Sequence, residues 1–316
     1  MGSKSESESM RELMKAHVLE LYDYTMLGLA TSYDLEDSKD KLRSTKDLER
    51  FFFQLVRVFQ PGLFIEAGAK DAGSSRRARK FLEDARIVAF EANPFTHKRF
   101  RQRNASPELR VEYLHKALSD SDGSVTFNVR TRDDGKPSAD GQGSLKEFKD
   151  EKNEFTRVTV DATTLDGFFA DYDGDTCALW VDVEGAQRAV LEGGNELLKK
   201  AAAVMIEVED RRVWDQDWLR PEIVAYLYDH GLVPVARDFQ SRYLYNIVFV
   251  RDSLRSVDRY RWALTKLHSD AGKGRSSGRN KAKQSKAGIT AQGSSFLSQS
   301  VQPAVGRFIK KIKSSR

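Results

Sequence analysis

The chain has 316 residues, 40% hydrophobic and 31% charged, with a single cysteine and a formal net charge of +5. That composition suits a soluble folded protein with a sizeable core. It excludes a disulfide framework and a cysteine-bound zinc, and no apolar run approaches the length of a membrane span. No apolar segment with a cleavage site stands near Met1, so the expected location is the cytoplasm.

In chain order, a polar leader, Met1 to Ser9, precedes a helix over roughly Ser9–Met26, with Leu13, Met14, Val18, Leu19, Leu21 and Tyr22 on its apolar face. Residues 27–43 connect it to a second helix. Ser44 and Asp47 form a capping signature there, and Leu48, Phe51, Phe52, Leu55, Val56 and Phe59 follow at helical spacing. Pro61-Gly62 ends it. Leu63–Ala67 then reads as a strand leading into a glycine loop, Gly68 to Ser75, and a helical stretch from Arg76 to Leu82. The loop lacks both the GxGxxG spacing of dinucleotide binders and the Gly-Lys-Ser/Thr of a P-loop. Arg86–Ala92 is a second strand, ending on Glu91 and closed by Asn93-Pro94. Glu91 lies 25 residues beyond Glu66, room for one crossover helix. An acid at that place accepts hydrogen bonds from ribose hydroxyls, or it is a solvated strand end.

Ser124–Val129 and Thr156–Val160 alternate as strands around a polar insertion, Thr131 to Glu154. Ser144 in that insertion is either a contact for the acceptor or part of an ordinary surface loop. Thr163-Thr-Leu-Asp166 caps a short helix through Phe169. The run Leu179-Trp-Val-Asp-Val-Glu-Gly-Ala-Gln187 is a buried strand stopping on two carboxylates, Asp182 and Glu184, which point to one face. Paired like charges at a buried strand end cost stability unless a ligand uses them, or they serve simply as an acidic helix start. Ala203–Val208 is a further core strand ending in Glu207 and Glu209, and Leu232–Ala236 with Tyr243–Val250 reads as an antiparallel pair. Trp214, Trp218 and Tyr243 are a sugar-stacking surface or packing elements.

From Lys266 to Arg316 the chain holds 12 Lys or Arg and one acid, so this tail carries +11 and the remainder −6 of the total +5. Its Gly, Ser, Lys and Gln are the composition of a disordered segment. Val305, Phe308, Ile309 and Ile312 near its end fall at helical spacing among cations, a patch suited to an anionic membrane or another polyanion, or a solubilising end.

Phe64-Ile-Glu-Ala-Gly-Ala-Lys-Asp-Ala-Gly73, Val88-Ala-Phe-Glu-Ala-Asn-Pro94, His115-Lys-Ala-Leu-Ser-Asp120, Gly143-Ser-Leu145, Thr164-Leu-Asp166 and Trp180-Val-Asp-Val-Glu-Gly-Ala186 occur in one order. That series resembles the FkbM family of S-adenosylmethionine-dependent methyltransferases over roughly residues 60 to 251. The resemblance implies an α/β, Rossmann-like class I methyltransferase fold: a seven-stranded, mostly parallel sheet with an antiparallel final pair and helices on both faces. It divides the chain into a helical extension (1–60), a methyltransferase domain (61–265) and the basic tail (266–316). It further implies methyl transfer to an oxygen, commonly a sugar hydroxyl of a glycan or natural product.

Carried over residue by residue, the cofactor is held by Glu66, Gly68, Ala69, Lys70, Gly73, Glu91, Ala92, Leu118, Ser119 and Asp182. The family more often has Asp at the place of Glu66 and Asn at that of Lys70. Asp182 is the first candidate base, with Glu184 and Glu209 next and His115 behind them; Ser144 and Trp214 are candidate acceptor contacts. A divalent metal on Asp182, Glu184 and Glu209 is conceivable, but no histidine adjoins them in sequence and the expected metal set is none. Two other classes stay open: a non-catalytic cofactor-binding adaptor docking through its tail, and a nicotinamide-dependent enzyme, against which the missing GxGxxG and the downstream Asp-Val-Glu-Gly argue. A methyltransferase acting on nucleic acid or protein is a further variant.

Overall fold

A computed structural model of the chain describes residues 2–140, 143–145, 154–211 and 218–285. The elements are α1 (Gly2–Ala30), α2 (Ser38–Phe59), β1 (Leu63–Ala67), α3 (Gly73–Arg79), β2 (Arg86–Glu91), α4 (Pro94–Asn104), β3 (Glu112–His115), β4 (Ala117–Leu118), β5 (Gly123–Arg130), β6 (Gly143–Ser144) and β7 (Phe155–Thr163). They continue with α5 (Leu165–Phe168), β8 (Cys177–Val181), α6 (Gln187–Glu192), α7 (Asn195–Leu198), β9 (Ala201–Glu209), α8 (Arg220–Asp229), β10 (Leu232–Arg237), β11 (Leu244–Arg251) and α9 (Asp258–Ser285).

Seven strands form the main sheet in the order β10-β11-β9-β8-β1-β2-β3. Only β11 runs against its neighbours, pairing antiparallel with both β9 and β10. This is the sheet that the resemblance implies. The strands read as continuous apolar runs because both faces are covered, as parallel sheets require. On one face, Phe52 and Phe53 of α2 pack on Trp180 of β8, each with ring centroids 5.7 Å apart. On the other, Phe90 of β2 meets Phe168 edge-on at 5.0 Å.

The alternating runs over Ser124–Val129 and Thr156–Val160 do pair, but in a separate sheet of four strands ordered β4-β7-β5-β6. The outermost strand of the main sheet is instead β3, next to β2. That short segment is only half-buried, so it carries no strong apolar signature.

The second helix begins earlier than its sequence signature. Its N-cap is Asp37, whose carboxylate accepts the Lys39 N–H at 2.9 Å, while Ser44 and Asp47 are buried within the helix. Both are used for tertiary contacts. Ser44 Oγ accepts the Phe239 N–H at 2.9 Å, and Asp47 accepts from the Tyr33 hydroxyl and from Arg50. The helix ends where expected, with Gln60 left-handed at φ 47°. α1 contributes Tyr22, Met26 and Leu29 to the main core, and α9 contributes Tyr260, Ala263, Leu267 and Ala271, so core packing continues past residue 265. Residues 286–316, including the amphipathic end of the tail, lie outside the described residues. No described helix is long and apolar enough to cross a membrane.

Replacing Ser44 by Ala removes the acceptor of a part-buried backbone N–H. The expected cost is about 1–3 kcal/mol of folding stability, against a few tenths for the neighbouring Thr45→Ala, both read from urea unfolding midpoints.

Candidate functional site

The site is built by two carboxylates that the sheet places at the carboxyl ends of β1 and β2. Glu91 is buried, and its two oxygens accept different backbone N–H groups: Oε2 from Lys70 at 2.7 Å and Oε1 from Asn93 at 2.7 Å. Asn93 in turn caps α4 through its Oδ1, which takes the N–H groups of Phe95 and Thr96. Glu66, also buried, accepts from Ser74 N at 3.1 Å and Ser75 N at 2.7 Å, the opening residues of α3. A carboxylate at a helix N-terminus meets its unpaired donors and the positive end of its dipole.

Between these anchors the loop doubles back sharply. Gly68 N and Ala69 N both donate to Phe90 O, and Gly68, Lys70 and Ala72 are all left-handed, at φ 77°, 48° and 55°. A side chain at position 68 is impossible, since a Cβ there would lie 1.9 Å from the Asp182 carbonyl oxygen. Lys70 holds an unfavourable left-handed conformation that Asn tolerates better. It is kept there by its N–H on Glu91 and its carbonyl, which accepts from the Tyr113 hydroxyl.

Two cavities of about 300 and 310 Å³ open over this loop and share Gly68, Lys70 and Asp182. Glu91, Ala92, Ala117, Leu118 and Phe127 line the first, together with Val183 and Glu184. Glu66, Ala69, Gly73, Ser74 and Arg77 line the second, with Glu49, Phe53 and Trp180 of the α2 face. The first offers a carboxylate beside an apolar slot, an acceptor for ribose hydroxyls and a wall for a base. The second offers cations and acids over the loop, suited to an amino-acid end. S-adenosylmethionine has both parts, and the two cavities meet at a wall made by Gly68, Lys70 and Asp182.

The sequence candidates divide accordingly. Glu66, Gly68, Ala69, Lys70, Gly73, Glu91, Ala92, Leu118, Asp182 and Glu184 are all on cavity walls. Ser119 is buried off them, its N–H on Thr163 O. Ser144 is buried as well and acts as a clasp: its hydroxyl donates to the Glu184 carbonyl and its backbone bridges Glu184, while Gly143 and Leu145 face the cavity. Glu209 is buried on neither wall. Trp214 lies outside the described residues. His115 also stands off the walls, stacked on His97.

The β8–β9 register pairs Val181 with Ile206 and so brings Glu207, rather than Glu209, opposite Asp182. Burial pushes Glu207 up to about 9, and the charges of Asp182, Glu184, Glu209 and Asp238 push in the same direction. Asp182 is also raised by the protein packed around it and by Glu49, with Lys70 opposing; solvent in the cleft reaches its side chain, which limits the shift. Glu49, Arg77, Asp140 and Glu207 were not singled out for the site from sequence; Glu49 was detectable as an acid beside the aromatic face of α2. Among the described residues, no group of three or more His, Cys, Asp or Glu is placed to hold a metal.

Topology, loop and cavity together define a Rossmann-like, S-adenosylmethionine-dependent methyltransferase. Residues 66–243 match the methyltransferase FkbM domain, and the chain belongs to that family. A similar protein is the 2-O-methyltransferase NoeI of Sinorhizobium fredii, 26% identical over 208 residues that cover 62% of this chain and 85% of the relative. Among solved structures, the O-methyltransferase of a trans-AT PKS multienzyme of Brevibacillus brevis, in complex with S-adenosyl-L-homocysteine, is 10% identical with a TM-score of 0.40, covering 84% of this chain and 92% of that one. Magnesium protoporphyrin IX methyltransferase of Synechocystis PCC 6803, with bound SAM, is 11% identical with a TM-score of 0.38, covering 66% and 79%.

Burial pushes both Glu91 and Glu66 up to about 7, against hydrogen bonds that pull them down. Their folded-state values exceed the ordinary 4.5, so the folded protein binds more protons between the two. Their contribution to stability is therefore full below about 4.5 and is lost as pH rises through about 7. Ribose hydroxyls donate best to the ionised form, so cofactor affinity runs the other way. Calorimetric titration with S-adenosylhomocysteine is expected to show affinity falling as pH drops below about 7. In Glu91→Gln that dependence flattens and affinity is weaker by tenfold or more, on the order of one lost charged hydrogen bond.

Proposed function

We propose that this methyltransferase modifies a hydroxyl oxygen of a saccharide, in a glycan or natural product, and does so in the cytoplasm. Residues 61–265 form its catalytic unit, with 1–60 as a helical extension and 266–316 as a basic tail. The observation that carries this reading is the position of Asp182, at the one wall shared by the cofactor's two cavities and open to solvent in the cleft. The relative NoeI is a 2-O-methyltransferase, and oxygen acceptors fit a site in which a carboxylate stands ready for a proton.

The bound cofactor supplies an electrophilic methyl carbon on a positively charged sulfur. Glu91 would accept from its ribose, Leu118 and Phe127 would flank its adenine, and Lys70 and Arg77 would meet its carboxylate; all five line the cavities. Asp182 holds the acceptor hydroxyl and takes its proton, which matters because sugar hydroxyls are weak acids. Orientation supplies much of the remaining rate, by fixing the hydroxyl in a near-attack position. A strongly anionic pocket would hold a sulfonium too well in the ground state. Lys70 offsets Asp182, so the wall that the two cavities share carries less negative charge than its acid alone implies. Asp140, on the wall of the first cavity and of a further open pocket lined by Arg130, Thr131 and Asp134, offers polar groups along a path for the acceptor.

Production of S-adenosylhomocysteine against a panel of methyl glycosides tests the reading. Asp182→Asn is expected to lower kcat by roughly 10²–10⁴, the usual worth of a general base, while calorimetric affinity for S-adenosylhomocysteine changes far less. Turnover on a nucleic acid or peptide with none on any glycoside would reject the saccharide.

A further inference from the structure

α9 is anchored by one side and bare on the other. Tyr260, Ala263, Leu267 and Ala271 are buried in the core, whereas Trp262, the bulkiest side chain of the helix, is 59% exposed. At helical spacing, Arg259, Lys266 and Lys273 share the face of Trp262. The acids of this region are already engaged: Asp252 pairs with Arg255 at 2.9 Å, Asp258 lies 3.9 Å from Arg261, and Asp270 takes both Lys266 and Lys273 at about 3 Å. Cations outnumber acids on this stretch, and the chain that follows is more basic still. Residues 275–316 hold ten Lys or Arg and no acid.

We propose that the Arg259–Trp262–Lys266–Lys273 face of α9 docks on an anionic lipid surface. A tryptophan flanked by Lys and Arg suits the headgroup level, where its ring is half-buried and its N–H stays wet. Each basic residue near an anionic leaflet contributes about 1 kcal/mol, a step of about fivefold in partition for one cation. Charge complementarity selects the lipid: the remainder of the chain is net negative, whereas this end carries the excess of cations. Nucleic acid fits less well, since base stacking wants several aromatics within the basic run and Trp262 stands before it.

Cosedimentation of the full chain with vesicles tests this, using phosphatidylcholine alone or mixed with phosphatidylglycerol, at low and high salt. Expected are binding to the mixed vesicles only, loss of binding at high salt, about tenfold weaker partition for Trp262→Ala, and about fivefold for Arg259→Gln. Both positions are remote from the cofactor loop in sequence, and unchanged S-adenosylhomocysteine affinity of each variant verifies its fold. No binding, equal binding to neutral vesicles, or partition insensitive to Trp262→Ala would overturn the proposal. Stronger binding to a DNA duplex than to the mixed vesicles, indifferent to Trp262, would overturn it in favour of nucleic acid.

Discussion

Everything at the cofactor end of this protein hangs on a buried carboxylate that serves the backbone before it serves any ligand. Glu91 accepts the N–H of Lys70 from the loop after β1 and the N–H of Asn93 from the turn after its own strand. Two parallel strands are thereby tied at their tips by one side chain. The tie permits the left-handed conformation of Lys70, which has no glycine's freedom, and it lays Gly68 directly over the Asp182 carbonyl. Glu66 does the same for the start of α3. Remove these bonds and four buried or part-buried backbone donors lose their partners, at about 1–3 kcal/mol each.

The same economy explains why the loop and the proposed base are adjacent. Because the loop crosses the end of β8, the first residue past that strand, Asp182, emerges where the two cavities meet. Its N–H is held by Ala67 O at 2.9 Å, so the strand pairing itself fixes the position of the proposed base. The second sheet then closes the site from above: Ser144 clasps Glu184, and Gly143 and Leu145 face the first cavity. The first cavity is in this way walled by both sheets, with Gly68 and Glu91 at the strand ends of one and Leu118 and Phe127 from the other.

Much of this was legible in the residues. Apolar runs marked β1, β2, β8, β9 and the final antiparallel pair, and glycines with acids at strand ends marked the cofactor loop. What escaped was whatever depends on pairing between distant segments. β3 is an edge strand with half its surface wet, so nothing in Glu112–His115 distinguishes it from a loop. The choice between Glu207 and Glu209 turns on the register of β8 against β9, which leaves no local trace. Ser44 and Asp47 carry the residue types of a helix cap, yet their partners, Phe239 and Tyr33, are reached only in the folded chain. Ser144 resembled a ligand contact for a related reason: a small hydroxyl beside glycines serves equally well as a clasp between sheets.

Hydrogen–deuterium exchange with and without S-adenosylhomocysteine tests the central claim most directly, that the loop tied by Glu91 and Glu66 is the floor of the cofactor site. Added ligand is predicted to slow exchange at residues 66–75 and 90–94 and around residue 118, with α8 and β10 unaffected. Slowed exchange confined to other segments, or none at saturating ligand, would contradict the account.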